Sequence, residues 1–271
     1  MLHLITIQQA INNFKKLIEN AILKDGVSGK EAMIRSSKPI MNIHEAVKSE
    51  LIHHKIRQER IFPPLGETTP ELRLAGFLKK KAQDICIIPE KEKKYHETLT
   101  DGLLQGAQDS FGKTYTEQTL SINVRSQISS LAKNFDTLYE RTIAEAYNLH
   151  IRCPEMCLGE VYLIAIPEYD SELVKQKQIG FVTPKSSMVE QYIKSFQAIN
   201  GRIDTNKEKY KYEKICLLIV NFNQRLPKIY HCVEELKKDQ MLQRDSKLSI
   251  TALTWKSFIP SLLKIYDSRF K

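Results

Sequence analysis

Asp84 stands at the head of an apolar run, Ile85-Cys86-Ile87-Ile88. A carboxylate in that position must be compensated by a metal, a cation or hydrogen bonds. Asn123, Arg125 and Gln127 follow 39 or more positions later, in Ser121-Ile122-Asn123-Val124-Arg125-Ser126-Gln127. Side chains of a strand alternate between faces, so these three line one side with an oxygen ligand, a cation and an amide in a row. That set suits metal-assisted hydrolysis of a phosphodiester. Asp84 and Asn123 would hold Mg²⁺, which neutralises phosphate charge and acidifies water, and Arg125 would steady the transition state. The same row reads equally as the solvent face of an edge strand.

Other residues could join this chemistry. Glu71, Glu117 and Glu145 lie near the same strands. Carboxylates of this kind are commonly solvated, and Glu71 ranks first among the three. Lys79, Lys80 and Lys81 form a basic cluster, and Ser129, Lys133 and Asn134 stand at the start of a helical stretch. Such groups bind nucleic-acid phosphates without reading sequence. The lysine run alone also reads as a hydrophilic hairpin turn. The five cysteines offer no second pair to match Cys153 and Cys157, so zinc is disfavoured and reduced thiols in a cytosol are expected. The seven histidines show no metal-ligand spacing, and no His-centred hydrolase is expected.

The elements that must position these residues follow from periodicity. Ile5 to Ile22 carries apolar residues at helical spacing, with a break at Asp25-Gly26. Asn42 is expected to cap a second helix through Ile56, and Pro63, Pro64 and Pro70 end helical propensity. Strands are expected over 72–78 and 85–88, joined by the lysines, and over 120–124. The polar stretch 90–118, broken by Gly102, Gly106 and Gly112, is expected to lack regular structure. A long helix runs from Leu131 to Pro154. Val161–Ile166 and Ile215–Phe222 read as strands buried on both faces. Helices over 186–199, near 232–238, and around Trp255 to Tyr266 complete the chain. The expected fold is therefore α/β, with a mixed central sheet of about five strands flanked by helices. Residues 1–60 form a helical N-terminal region and 61–271 the α/β core.

The chain has 271 residues, 41 Lys plus Arg against 32 Asp plus Glu, and a formal net charge of +9. Its 42% hydrophobic content excludes wholesale disorder. No apolar run approaches the ~20 residues of a membrane span, and residues 1–13 show no secretory signal. The basic balance suits a polyanion, nucleic acid first.

The β-β-β-α-β order, the acid opening the second strand, and the polar-x-basic pair on the third resemble the PD-(D/E)XK nuclease superfamily. Within it, LSINVRSQISSLAKNFDTLYERTIAEAYNLH followed by LGEVYLI, and PELRLAGFLKKKAQDICIIP, resemble type II restriction endonucleases. The likeness spans roughly 60–270. Three positions depart from the motif: Gln83 replaces Pro, Asn123 replaces an acid, and Arg125 replaces Lys. Asparagine still offers an oxygen, but arginine stays protonated and cannot be a general base. The resemblance implies a restriction-endonuclease-like fold and a sequence-specific, Mg²⁺-dependent double-stranded DNA endonuclease with Asp84, Asn123, Arg125, Gln127 and Glu71 in its site. It implies a homodimer or a heterodimer with a related subunit, a cognate DNA methyltransferase acting separately, and a bacterial cytoplasmic location. A non-catalytic nucleic-acid-binding protein on the same fold is the alternative, and an interaction protein built around the N-terminal helices is a third.

Overall fold

The computed structural model describes residues 4–183 and 185–271. Two helices lead the chain, α1 (Ile7–Arg35) and α2 (Lys38–His53). Thr6 and Gln9 close a capping box at the start of α1, each satisfying a backbone N–H of the other's end. The helix runs past the expected break, but Gly26 takes a non-helical φ of 61° and kinks it there. A side chain at Gly26 would also meet the Val174 carbonyl at 2.9 Å. α2 starts four residues before Asn42. Ser37 occupies the cap position in a left-handed conformation, and Asn42 donates back to the Lys38 and Pro39 carbonyls from inside the helix.

The strands follow as β1 (Ile61–Phe62), β2 (Leu72–Ala75), β3 (Lys80–Gln83) and β4 (Ile85–Ile87). The lysines were expected to connect two strands. Instead β2 and β3 form their own hairpin, turning over Gly76–Lys79, so Lys80 and Lys81 are strand residues. Asp84 is the single residue between β3 and β4. The polar stretch 90–118 holds more structure than expected: β5 (Glu97–Thr98) pairs with β6 (Gln108–Asp109), and α3 (Lys113–Glu117) follows. Buried Arg152 donates to both Glu97 and Asp109 and ties this excursion down, a tertiary contact that local pattern cannot show.

The rest runs β7 (Leu120–Gln127), α4 (Leu131–Arg152), β8 (Leu158–Ala165), β9 (Glu168–Tyr169), α5 (Ser171–Lys175) and β10 (Phe181–Val182). Then come α6 (Ser186–Ala198), β11 (Lys214–Asn221), β12 (Lys228–Ile229), α7 (Val233–Lys238) and α8 (Trp255–Phe270). The central sheet has six strands in the order β1-β4-β7-β8-β11-β12. β4 is antiparallel to β7, while β7, β8 and β11 are parallel and joined by helical crossovers. The fold is thus α/β with a mixed six-stranded sheet between helices. β8 is buried along its whole length, as a central parallel strand with both faces covered should be.

One apolar core joins α1, α2 and α8 to Ile85, Ile122, Val124 and Val161. The other joins α4 and α6 to Cys86, Tyr162, Ile215 and Leu217. The N-terminal helices therefore share a core with the sheet. No helix among the described residues is long and apolar enough to cross a membrane.

Candidate functional site

Two side chains of α4, Asn148 and Glu145, hold the β2–β3 hairpin beside the site. Asn148 on α4 accepts hydrogen bonds from the Leu78 and Lys79 N–H groups at 2.6 and 3.1 Å and donates to the Lys79 carbonyl. This pins the β2–β3 turn onto the helix. Only glycine fits at position 76, because a Cβ there would lie 2.4 Å from the Asn148 side chain. One helical turn before Asn148 stands Glu145, which takes the ammonium of Lys81 from the same hairpin. Asn148 thus holds the turn and Glu145 holds its lysine.

Asp84 is held by the opposite strand. Its Oδ2 accepts from the Val124 N–H at 2.8 Å. Buried Gln83 accepts from Ser121 at 2.8 Å and donates to the Lys81 carbonyl at 3.0 Å. The β4–β7 register pairs Ile85 with Ile122, so Asp84 stands opposite Asn123 one step further on. Asn123 in turn pairs with Glu160 on β8. Asp84, Asn123 and Glu160 therefore form a row across three strands.

Arg125 is the hub behind this row. It donates to Glu160 and Thr142 and pairs with Glu145. Burial works against its charge, but Glu160 above all and Asp84 further off raise its pKa, so it stays a cation. Burial raises the Glu160 carboxyl, and Arg125 and Lys81 pull against that. Burial, and then Arg125, lower the Lys81 ammonium, with Asp84 and Glu160 opposing. Two oxygens in this nest, Asn123 Oδ1 and Glu160 Oε2, have no partner among the described residues.

The nest opens into a cleft of about 670 Å³ between the α1–α2 elbow and α4. Glu71, Lys81, Asp84 and Arg125 line it from the sheet side, His44 and Lys38 from α2, and Arg141 from α4. Burial and then the charge of Asp84 raise the Glu71 carboxyl, so the two acids face a common space. A cation between them would relieve that repulsion. Mg²⁺ commonly uses one or two carboxylates and keeps several waters. Among the described residues no group of three or more His, Cys, Asp or Glu side chains is arranged to hold a metal. Asp84 and Glu71 are the carboxylates lining the cleft that such an ion would meet.

The expected site residues divide clearly. Asp84, Glu71 and Arg125 come together at the cleft. Asn123 is 1% exposed and absent from its wall, where it contacts Tyr212. Gln127 is also buried. It accepts from the Tyr162 and Tyr192 hydroxyls and donates to the Ser130 carbonyl, which makes it a packing residue. The row is covered by α4 and α6, so it is neither a solvent face nor wholly a site face. Lys79 is exposed, and Lys80 is tied to the Gln108 carbonyl. Lys133 and Asn134 are exposed at the start of α4, with Ser129 half-buried beside them. The first N–H of that helix, from Leu131, already donates to Glu168 at 3.3 Å. Glu117 accepts from the Glu155 N–H, outside the cleft.

Sequence reasoning missed two residues, Glu160 and His44, and misjudged a third, the candidate Glu145. Glu145 is 3% exposed, against the expectation of a solvated acid. Its signal was present, since it falls on the helical stripe of Thr142 and Leu149. Glu160 lies inside a continuous apolar strand, where an acid needs a partner. His44 lies on the stripe of Ile40, Val47 and Leu51 and reaches the cleft. Comparison with protein-family models, with curated proteins and with solved structures finds no match in any of the three. What the fold and site define is a class, an α/β protein with a mixed sheet and a charged cleft at its antiparallel-to-parallel junction.

Proposed function

We propose that this protein is a Mg²⁺-dependent endonuclease acting on double-stranded DNA, of the type II restriction kind that the PD-(D/E)XK resemblance implies. One observation carries the reading: a single cleft gathers Glu71, Asp84, Lys81 and Arg125 where β3, β4 and β7 meet. Asp84 and Glu71 are the residues that would hold the magnesium, which supplies charge neutralisation at the phosphate. Lys81 and Arg125 have donors to spare after binding Glu145 and Glu160, and these orient phosphate oxygens. Lys38 and Arg141 extend the basic lining toward the mouth, and Lys79 and Lys133 offer phosphate contacts outside it. Palindromic recognition calls for a twofold dimer, of like or related subunits. A separate methyltransferase would protect the host DNA, and the work would take place in a bacterial cytoplasm.

The second reading, a nucleic-acid-binding protein without catalysis, is favoured by Asn123. The position of the motif's second acid is neutral and turned away from the cleft. Incubating the purified protein with unmethylated phage DNA separates the two. Discrete fragments that vanish with chelator support the endonuclease. Salt-sensitive gel shifts with intact DNA support the binder and overturn the enzyme.

A further inference from the structure

His44 is 6% exposed and lines the cleft from α2. None of the hydrogen bonds among the described residues engages its ring, and its nitrogens are not among the enclosed polar atoms that lack a partner. The ring nitrogens therefore keep some surface exposure and no protein partner among the described residues, on a residue that lines the cleft. The other groups of the cleft are committed or unsuited. Lys81 is held by Glu145, and Arg125 cannot give up its proton. Glu145 and Glu160 are each tied to cations. Asp84 and Glu71 are needed for a cation. That leaves His44, the imidazole lining the cleft, to take a proton from an attacking water.

We propose that His44 is the general base of this site. The proposal rests on the endonuclease reading above. In the step, a ring nitrogen of neutral His44 takes a proton from water as the water oxygen bonds to phosphorus. The bond from phosphorus to the leaving sugar oxygen breaks, its electron pair goes with that oxygen, and solvent protonates it. The charged groups around His44 are Asp84 from the β3–β4 junction, Lys48 and Glu45 from its own helix, and the cleft residues Glu71, Lys81, Arg125, Arg141 and Lys38. Burial lowers the imidazole pKa, with Asp84 opposing.

The test compares wild type, His44→Gln and His44→Ala in single-turnover cleavage of plasmid DNA across pH, with DNA affinity measured in calcium. General-base loss is expected to slow cleavage by about 100- to 10,000-fold, leave affinity within about twofold, and remove the acid limb of the pH profile. Added imidazole should restore part of the rate to His44→Ala. If His44→Gln cuts at the wild-type rate with the same acid limb, His44 is a packing residue and the proposal falls alone. A wild-type protein that binds DNA and never cuts it overturns the endonuclease reading, and His44 with it. Should both variants melt at the assay temperature, NMR titration of His44 in wild type decides. A ring pKa that does not match the acid limb rejects the assignment.

Discussion

Two buried carboxylates, Glu160 and Glu213, sit on neighbouring strands or their edges with no exposure at all, and they are treated in opposite ways. Glu213 is saturated. It accepts from the Leu158 N–H at 2.7 Å, from Arg202 at 3.0 Å and from Arg269 at 2.9 Å, with His150 at 3.6 Å. Burial pushes its pKa up, but His150, Arg269 and Arg202 outweigh it and hold the carboxyl down at about 2. Glu160 shares Arg125 with Glu145, leaves Oε2 without a partner among the described residues, and has its pKa raised by burial. The first cluster closes the end of the sheet where α8 docks. The second borders the cleft. An incompletely satisfied polar nest is a poor fastener, because each unpaired buried group costs about 1–3 kcal/mol. Its persistence beside an open cleft fits a site, and the saturation of Glu213 fits a clamp.

The sharpest way to break this contrast is to exchange the readouts. Asp84→Ala should reduce DNA cleavage by at least about 1,000-fold, roughly 4 kcal/mol of barrier, while urea melts show little change. Magnesium-dependent cleavage retained by that variant would remove Asp84 from the site. Glu213→Gln should do the reverse. Breaking this buried network costs about 3–5 kcal/mol in denaturant titration, and DNA affinity at low temperature should survive. Glu160→Gln, by comparison, should alter stability at pH 7 by less than about 1 kcal/mol, since the amide removes a costly buried charge. A larger loss at Glu160 than at Glu213 would erase the distinction.

The two acids also predict opposite pH trends. The folded pKa of Glu213 lies below its unfolded value near 4.5, so its stabilisation is complete above that pH and is lost as pH falls toward about 2. The span corresponds to about 3 kcal/mol. The folded pKa of Glu160 lies above 4.5, so ionising it weakens the fold as pH rises past that value. Thermal melts of Glu213→Gln should therefore lose the acid-side slope, and those of Glu160→Gln should lose the opposing one. The smallest effect is expected at the rim. Lys79→Ala, at an exposed lysine, should lower the salt dependence of DNA binding by about one phosphate contact without changing stability. An unchanged slope in gel shifts would take Lys79 off the DNA path.

Much of the scaffold is written along the chain. β8 and β11 were legible as continuous apolar runs, and β7 as an alternating one. α4 announced itself by an apolar stripe closed by Pro154. Where hydrophobic period and breaker residues agree, local sequence is enough. The hairpin was misplaced because Lys80 and Lys81 look like turn residues. Asn148 decides otherwise by capping the turn from 69 positions away. β5 and β6 were invisible because their tether, Arg152, lies far along the chain.

The site divides in the same manner. Pattern alone singled out Asp84 and Arg125 together with Asn123 and Gln127, and ranked Glu71 first among the neighbouring acids; an acid before an apolar strand and a cation within one demand compensation wherever they fold. Whether Asn123 and Gln127 face a cleft or a core depends on what covers the strand, and α4 with α6 covers it. Whether Glu145 is solvated, and whether His44 has a partner, depends on the hairpin and on the α1–α2 elbow. Local periodicity fixes which residues share a face of an element. Only packing between distant elements decides whether that face meets solvent, a core or a cleft.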